Sequence, residues 1–243
     1  MNPSISGWLT QGWHYFLLTR WISMLFSSLF VLIGAVLYWV LTQYDLGLIT
    51  YPFLSGFLIL APVLATGFQR VARMLNKGQS PRFRDLVFGI AEGTPGIWFL
   101  ILILFMCYLI WVTDAIVIYG MFFGVKAIPV NLDLLTDETL RNQLFAYIAF
   151  ASVVGCVMAF MGFAVSVFSI PLILHQQKSF VTAVHTSVSL VFRHKLLMLR
   201  WALTLAILVM TTLFVALPLL VIVLPVTGYA SYAAYAEMLE AGG

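Results

Sequence analysis

Runs of uncharged, mostly apolar residues recur along the chain at 21–41, 46–69, 93–113, 142–177 and 201–236. About 20 such residues are needed for a helix to cross the hydrocarbon core of a bilayer. The first three runs therefore predict one spanning helix each. The last two have 36 residues apiece, too long for one straight span at about 1.5 Å per residue. Basic residues decide how to divide them, because Lys and Arg collect on the cytoplasmic side. Arg20, the segment 70–92 (Arg70, Arg73, Lys77, Arg82, Arg84) and the segment 178–200 (Lys178, Arg193, Lys195, Arg200) hold ten of the twelve. The connection 42–51 holds only Asp45, and 121–141 holds Lys126 and Arg141 against Asp133, Asp137 and Glu138.

A single tilted helix over 142–177, ending near Gln176 and Gln177, keeps those ten on one face of the membrane. A hairpin would move the 178–200 cluster outside. The run 201–236 has Pro218 at its centre, and an interior proline breaks a helix. Two short spans are expected there, 199–217 and 219–236. The predicted fold is an all-α polytopic bundle of six transmembrane helices in a bacterial inner membrane, with both termini cytoplasmic.

Amphipathic segments precede the odd-numbered spans. The first covers 4–19, with Ser4 as cap and Ile5, Trp8, Leu9, Gly12 and Phe16 on one face. The second, 80–92, has Ser80 then Pro81 as a start signal, with Phe83, Leu86, Val87 and Ile90 at helical spacing. The third, 179–194, has Ser179 as cap and Val181, Val184, Val188 and Val191 or Phe192 on one side. Thr94 and Pro95 restart the third span in the same way. Three cytoplasmic interfacial helices are expected. Each even-numbered span also carries a proline near its cytoplasmic end: Pro62, Pro171 and Pro225. Their missing N–H groups free the carbonyls of Leu58, Val167 and Val221. The pattern suggests three repeats, 4–75, 80–177 and 179–239.

Composition agrees. The apolar set makes up 63% of 243 residues and charged residues 9%, with mean hydropathy +1.05. A soluble domain is about 25% charged, so a soluble enzyme and a nucleic-acid-binding domain are excluded, and a net charge of +3 names no polyanionic partner. Cys107 and Cys156 both lie in apolar runs and give no disulfide framework. The first span is too long for a cleaved signal and reads as a retained helix.

The stretches Pro52-Phe53-Leu54-Ser55-Gly56-Phe57, Ala61-Pro62-Val63-Leu64-Ala65-Thr66-Gly67 and Arg73-Met74-Leu75-Asn76-Lys77-Gly78 resemble a family of prokaryotic six-helix integral membrane proteins of unknown function. Tyr119-Gly120-Met121-Phe122-Phe123-Gly124, Ser169-Ile170-Pro171-Leu172, Thr186-Ser187-Val188 and Leu224-Pro225-Val226-Thr227-Gly228-Tyr229 extend the resemblance over about 50–240. Some relatives are described as cytochrome c oxidase subunits, which implies a respiratory link. Where family members tend to carry charge after Ser-Ile-Pro-Leu this chain has His175-Gln176-Gln177, and where they tend to carry histidine near the last motif it has Tyr229, Ser231, Tyr232 and Tyr235.

Candidate chemistry is sparse. His14, His175, His185 and His194 fall at the cytoplasmic rim without carboxylate or cysteine at ligand spacing, so no metal, haem or other cofactor is expected. Asp114, the one carboxylate inside an apolar run, is a candidate for an ion path by default; counted from Pro95 it reaches the outer interface. Arg70, Arg73, Lys77, Arg82, Arg84, Arg193 and Lys195 are candidates for lipid headgroups. Ala151, Gly155, Ala159 and Gly162 form a small-residue stripe that suits close helix packing, which makes the fourth span the expected central helix or a contact for another subunit. With no catalytic constellation, the leading expectation is a non-catalytic accessory or scaffold subunit of a membrane complex. Its partners are the bilayer and other subunits or copies of itself. A small transporter or lipid-handling protein, with a cavity framed by Pro62, Pro171 and Pro225, is the alternative.

Overall fold

The computed structural model describes residues 3–43, 50–91, 94–124 and 137–240. Asp45, Glu92, Lys126 and Asp133, and the side chain of Ile90, lie outside what is described. The described residues are helical: α1 (Ile5–Gln43), α2 (Thr50–Ser55), α3 (Phe57–Asn76), α4 (Phe83–Ala91), α5 (Pro95–Phe123), α6 (Glu138–Ser166), α7 (Ser169–Gln176), α8 (Phe180–Arg193), α9 (Lys195–Val215) and α10 (Leu220–Tyr235). A short 3₁₀ turn, Leu217–Leu219, joins α9 to α10, and a π-helical turn, Ala236–Glu240, follows α10. Six stretches are long and apolar enough to cross a membrane: Ile5–Val40, Phe53–Asn76, Pro95–Phe123, Glu138–Gln176, Lys195–Val215 and Leu217–Leu239.

The first amphipathic segment is divided from the first span by a kink at its expected end. α1 takes in both, and the kink falls where Thr19 leaves helical geometry (φ −121°, ψ 16°). The Thr19 hydroxyl bonds back to the Tyr15 carbonyl at 2.8 Å and sits 2.9 Å from the Tyr229 hydroxyl on α10. A side chain that competes for the ladder bends the chain here, so that two helices meet at Thr19. Ser4 caps α1 as expected, accepting from Gly7 N–H at 3.1 Å. Ser179 likewise caps α8. Ser80 does not cap α4. That helix starts at Phe83, and Asp85 reaches back to accept from Arg82 N–H at 2.7 Å.

The run 142–177 is two helices rather than one. α6 stops at Ser166, and α7 resumes at Ser169. Pro171 cannot donate to the Val167 carbonyl, and the break falls at that carbonyl. Ser187 of α8 fills it: its hydroxyl accepts from Phe168 N–H at 3.2 Å and donates to the Ala164 carbonyl at 2.7 Å. Phe168 and Ala164 stand four apart and would otherwise bond to each other, so the hydroxyl is inserted into the helical ladder. This also turns α8. Its buried face is Ala183, Ser187 and Val191, while Val181 and Phe192 point outward. Small side chains win that face because only they permit the approach. α7 ends where Gln177 adopts a left-handed conformation (φ 51°), closed by Lys178 N–H on the Leu172 carbonyl at 3.3 Å.

The core is centred on α3 and α10, whose most apolar windows are 56% and 50% buried against 17% for α6. α6 is peripheral, contrary to the expectation from its small residues. α1 packs along α10, where a methyl on Gly12 would lie 2.6 Å from the Val226 carbonyl oxygen. Trp8 donates its indole N–H to Glu237 (2.5 Å) and stands edge-on to Trp201 at 5.3 Å. Phe68 links Phe26 and Tyr229, each at 5.4 Å between ring centres. α3 and α4 cross at Gly67 and Gly89, so closely that a methyl on Gly67 would overlap the Leu86 carbonyl oxygen. Large apolar side chains such as Trp21, Trp39, Phe99 and Val153 cover the outside.

Candidate functional site

The main concavity is a groove of about 850 Å³, open along one side. Buried residues of α3 (Ile59, Ala65, Gln69) and α10 (Leu224, Thr227, Gly228) form its floor. α6 and α9 form its walls, and Trp111 of α5 contributes at one place. The volume falls in the range of about 300–1,000 Å³ usual for ligand pockets.

The lining is apolar with a few hydroxyls and one amide. Ser166, Thr227 and Ser231 spend their hydroxyls on carbonyls of their own helices: Gly162 at 2.6 Å, Val223 at 2.8 Å and Thr227 at 2.8 Å. The Gln69 amide is different. Its side chain is 98% buried, and its carbonyl oxygen lacks a hydrogen-bond partner. The Tyr147 hydroxyl, on the α6 wall, is also buried without a partner. Neither residue stood out in the sequence. Gln69 closes the second apolar run, where a count of charges treats an amide as neutral.

The small-residue stripe contributes to this groove. Ala151, Gly155 and Ala159 line it, Gly155 also resting against the Trp111 ring, while Gly162 is buried beside Ile59 and Leu104. Of the three prolines thought to frame a cavity only Pro62 lines it; Pro171 and Pro225 are buried within α7 and α10. Pro218 is exposed in the 3₁₀ turn. Asp114 is half-buried in α5, nine residues short of the helix end at Phe123.

The basic candidates separate into two groups. Arg70, Arg73 and Lys77 line a second cavity of about 320 Å³ together with His175. Arg82, Arg84, Arg193 and Lys195 are exposed and do not line it. Among the described residues no three His, Cys, Asp or Glu side chains are grouped to hold a metal ion. Cys107 and Cys156 are free thiols, the second on the groove wall.

No curated protein matches the sequence, and no solved structure matches the fold. Residues 50–175, which run from α2 into α7 and so carry more than half of the groove lining and all of the basic cavity, match a known family. Since that match takes in 126 of the 243 residues, the chain belongs to the family described as predicted integral membrane protein (DUF2189).

Proposed function

We propose that the chain is a non-catalytic lipid-handling protein of the bacterial inner membrane, with both termini cytoplasmic, and that the groove between α6 and α9 holds the apolar chain of a lipid. The groove itself is the observation that carries the reading. At about 850 Å³ it falls within the range of pockets that take a small ligand or an acyl chain. Its walls, α6 and α9, both belong to stretches long and apolar enough to cross a bilayer, from which an acyl chain can enter. Its walls offer few free polar groups, which selects an apolar occupant. The buried carbonyl oxygen of Gln69, an acceptor without a partner, supplies a fixed polar point beside which a hydroxyl on such a chain can be positioned.

A second reading has its own observation. Ala151, Gly155 and Ala159 line the groove at four-residue spacing, which permits the close approach of another helix. On that reading the chain is an accessory subunit, and a partner's helix fills the space. Native mass spectrometry of the full chain, extracted in mild detergent, decides between them. Retained lipid, reduced in an Ala151→Trp/Ala206→Trp variant that fills the groove, supports the first. A stoichiometric protein partner lost in the same variant supports the second. A bare monomer for both proteins refutes both.

A further inference from the structure

The smaller cavity stands apart from the groove and does not depend on what fills it. It lies at the last two turns of α3, closed by Gly89 of α4 and by Leu174 and His175 of α7. Arg70, Arg73 and Lys77 recur at i, i+3 and i+7 and so lie along one stripe of the helix. All three line the cavity, and among the described residues no carboxylate does. Arg73 and Lys77 are like charges at one small space and repel each other unless an anion sits between them.

Two details show that the arrangement is built rather than a loose spread of surface charge. The Arg73 guanidinium is anchored, donating to the His175 backbone carbonyl at 3.2 Å. That bond uses one of five N–H donors. The His175 ring packs against both Tyr232 and Tyr235, at 5.7 and 5.9 Å, and both of its nitrogens are buried without a partner. An imidazole carries at least one donor, so this wall lacks an acceptor.

We propose that this cavity binds a phosphate group, held by the Arg73 fork and the Lys77 ammonium with Arg70 beside them. Its position at the end of a membrane-spanning helix makes an anionic phospholipid headgroup the source. Free inorganic phosphate offers the same chemistry, and the experiment separates the two.

The full chain in detergent is titrated with phosphatidylglycerol, with phosphatidylcholine and with inorganic phosphate, followed by thermal unfolding and by native mass spectrometry. Saturable binding of phosphatidylglycerol is expected, well above that of zwitterionic phosphatidylcholine. At roughly fivefold per basic residue near an anionic surface, Arg73→Gln/Lys77→Gln weakens it about thirtyfold. The control pair Arg193→Gln/Lys195→Gln removes the same charge at an exposed corner and leaves affinity within about threefold. Arg73→Lys, which keeps charge but not the fork, falls between. Saturation by inorganic phosphate at the same affinity keeps the site and makes free phosphate its ligand. Equal losses in the two pairs, or no saturable binding of any probe, overturn the proposal. Gel-filtration elution and circular dichroism identify a variant that fails to fold, in which case Arg73→Lys alone carries the comparison.

Discussion

Replacing Ser187 by Ala tests how the broken span is held together. The serine hydroxyl joins Phe168 N–H to the Ala164 carbonyl, 3.2 and 2.7 Å away, at a site with no exposure. Alanine fills nearly the same volume, so the loss is confined to the two hydrogen bonds. At about 1 kcal/mol net per bond the cost is about 2 kcal/mol, and it rises toward about 4 kcal/mol if both backbone groups stay unpaired. The helix could recover by closing Phe168 N–H directly onto Ala164, but the Pro171 ring stands against the Val167 carbonyl and holds the break open. The cost should therefore depend on the proline. In a Pro171→Ala background the chain can straighten, and Ser187→Ala should then cost about 1 kcal/mol or less. Thermal unfolding of the four proteins of this cycle in one detergent measures the coupling. A shift of about 5 °C is expected for Ser187→Ala alone, taking the scale for domains of this size. If Ser187→Ala melts with the wild type, or costs the same with and without Pro171, the inserted-hydroxyl account is wrong.

Gly67→Ala should destabilise by about 3 kcal/mol, because its methyl meets the Leu86 carbonyl at the α3–α4 crossing; Gly34→Ala, with nothing within 4 Å, should gain up to about 1 kcal/mol, and melting curves compare them. Tyr229→Phe removes the hydroxyl that bonds Thr19 and Ser23 and should cost about 1–2 kcal/mol; an unchanged melting temperature would show that the α1–α10 contact rests on packing alone. Cysteines placed at the exposed positions 79 and 185 should react only with reagent admitted to the cytoplasm, and one at exposed position 137 only from outside; the reverse pattern would invert the topology. Asp114→Asn should leave expression and folding unchanged, since the amide keeps the shape of the half-buried carboxylate and removes a charge that is costly within a bilayer; loss of function in a well-folded variant would reinstate the ion path.

Span positions were legible because hydropathy and charge are local properties. Division of the last run near Pro218, the Ser4 and Ser179 caps and a disturbance of the helix at Val167 could all be read from single residues and their neighbours. What the sequence did not show depends on residues far apart. Thr19 looks like any threonine at a helix start until Tyr229 is placed beside it. The stripe Ala151, Gly155, Ala159 signals close approach but not of what, and here it faces a groove. Arg70, Arg73 and Lys77 satisfied the orientation rule so well that their common stripe went unused, and only the arrival of His175 from α7 turns that stripe into a cavity.

The pairing of α1 with α10 bears on how the protein is made. Thr19 and Tyr229, which share a hydrogen bond, are 210 residues apart. At a synthesis rate of about 5–20 residues per second, about 10–40 s separate the two on the ribosome. Throughout that interval the Thr19–Ser23 notch of the first helix is without the neighbour that completes it, and the seam occupied by Gly12, Thr19 and Ser23 stays open. Any chain interrupted before α10 lacks the helix that covers this seam. The first helix inserted is thus among the last to find its place.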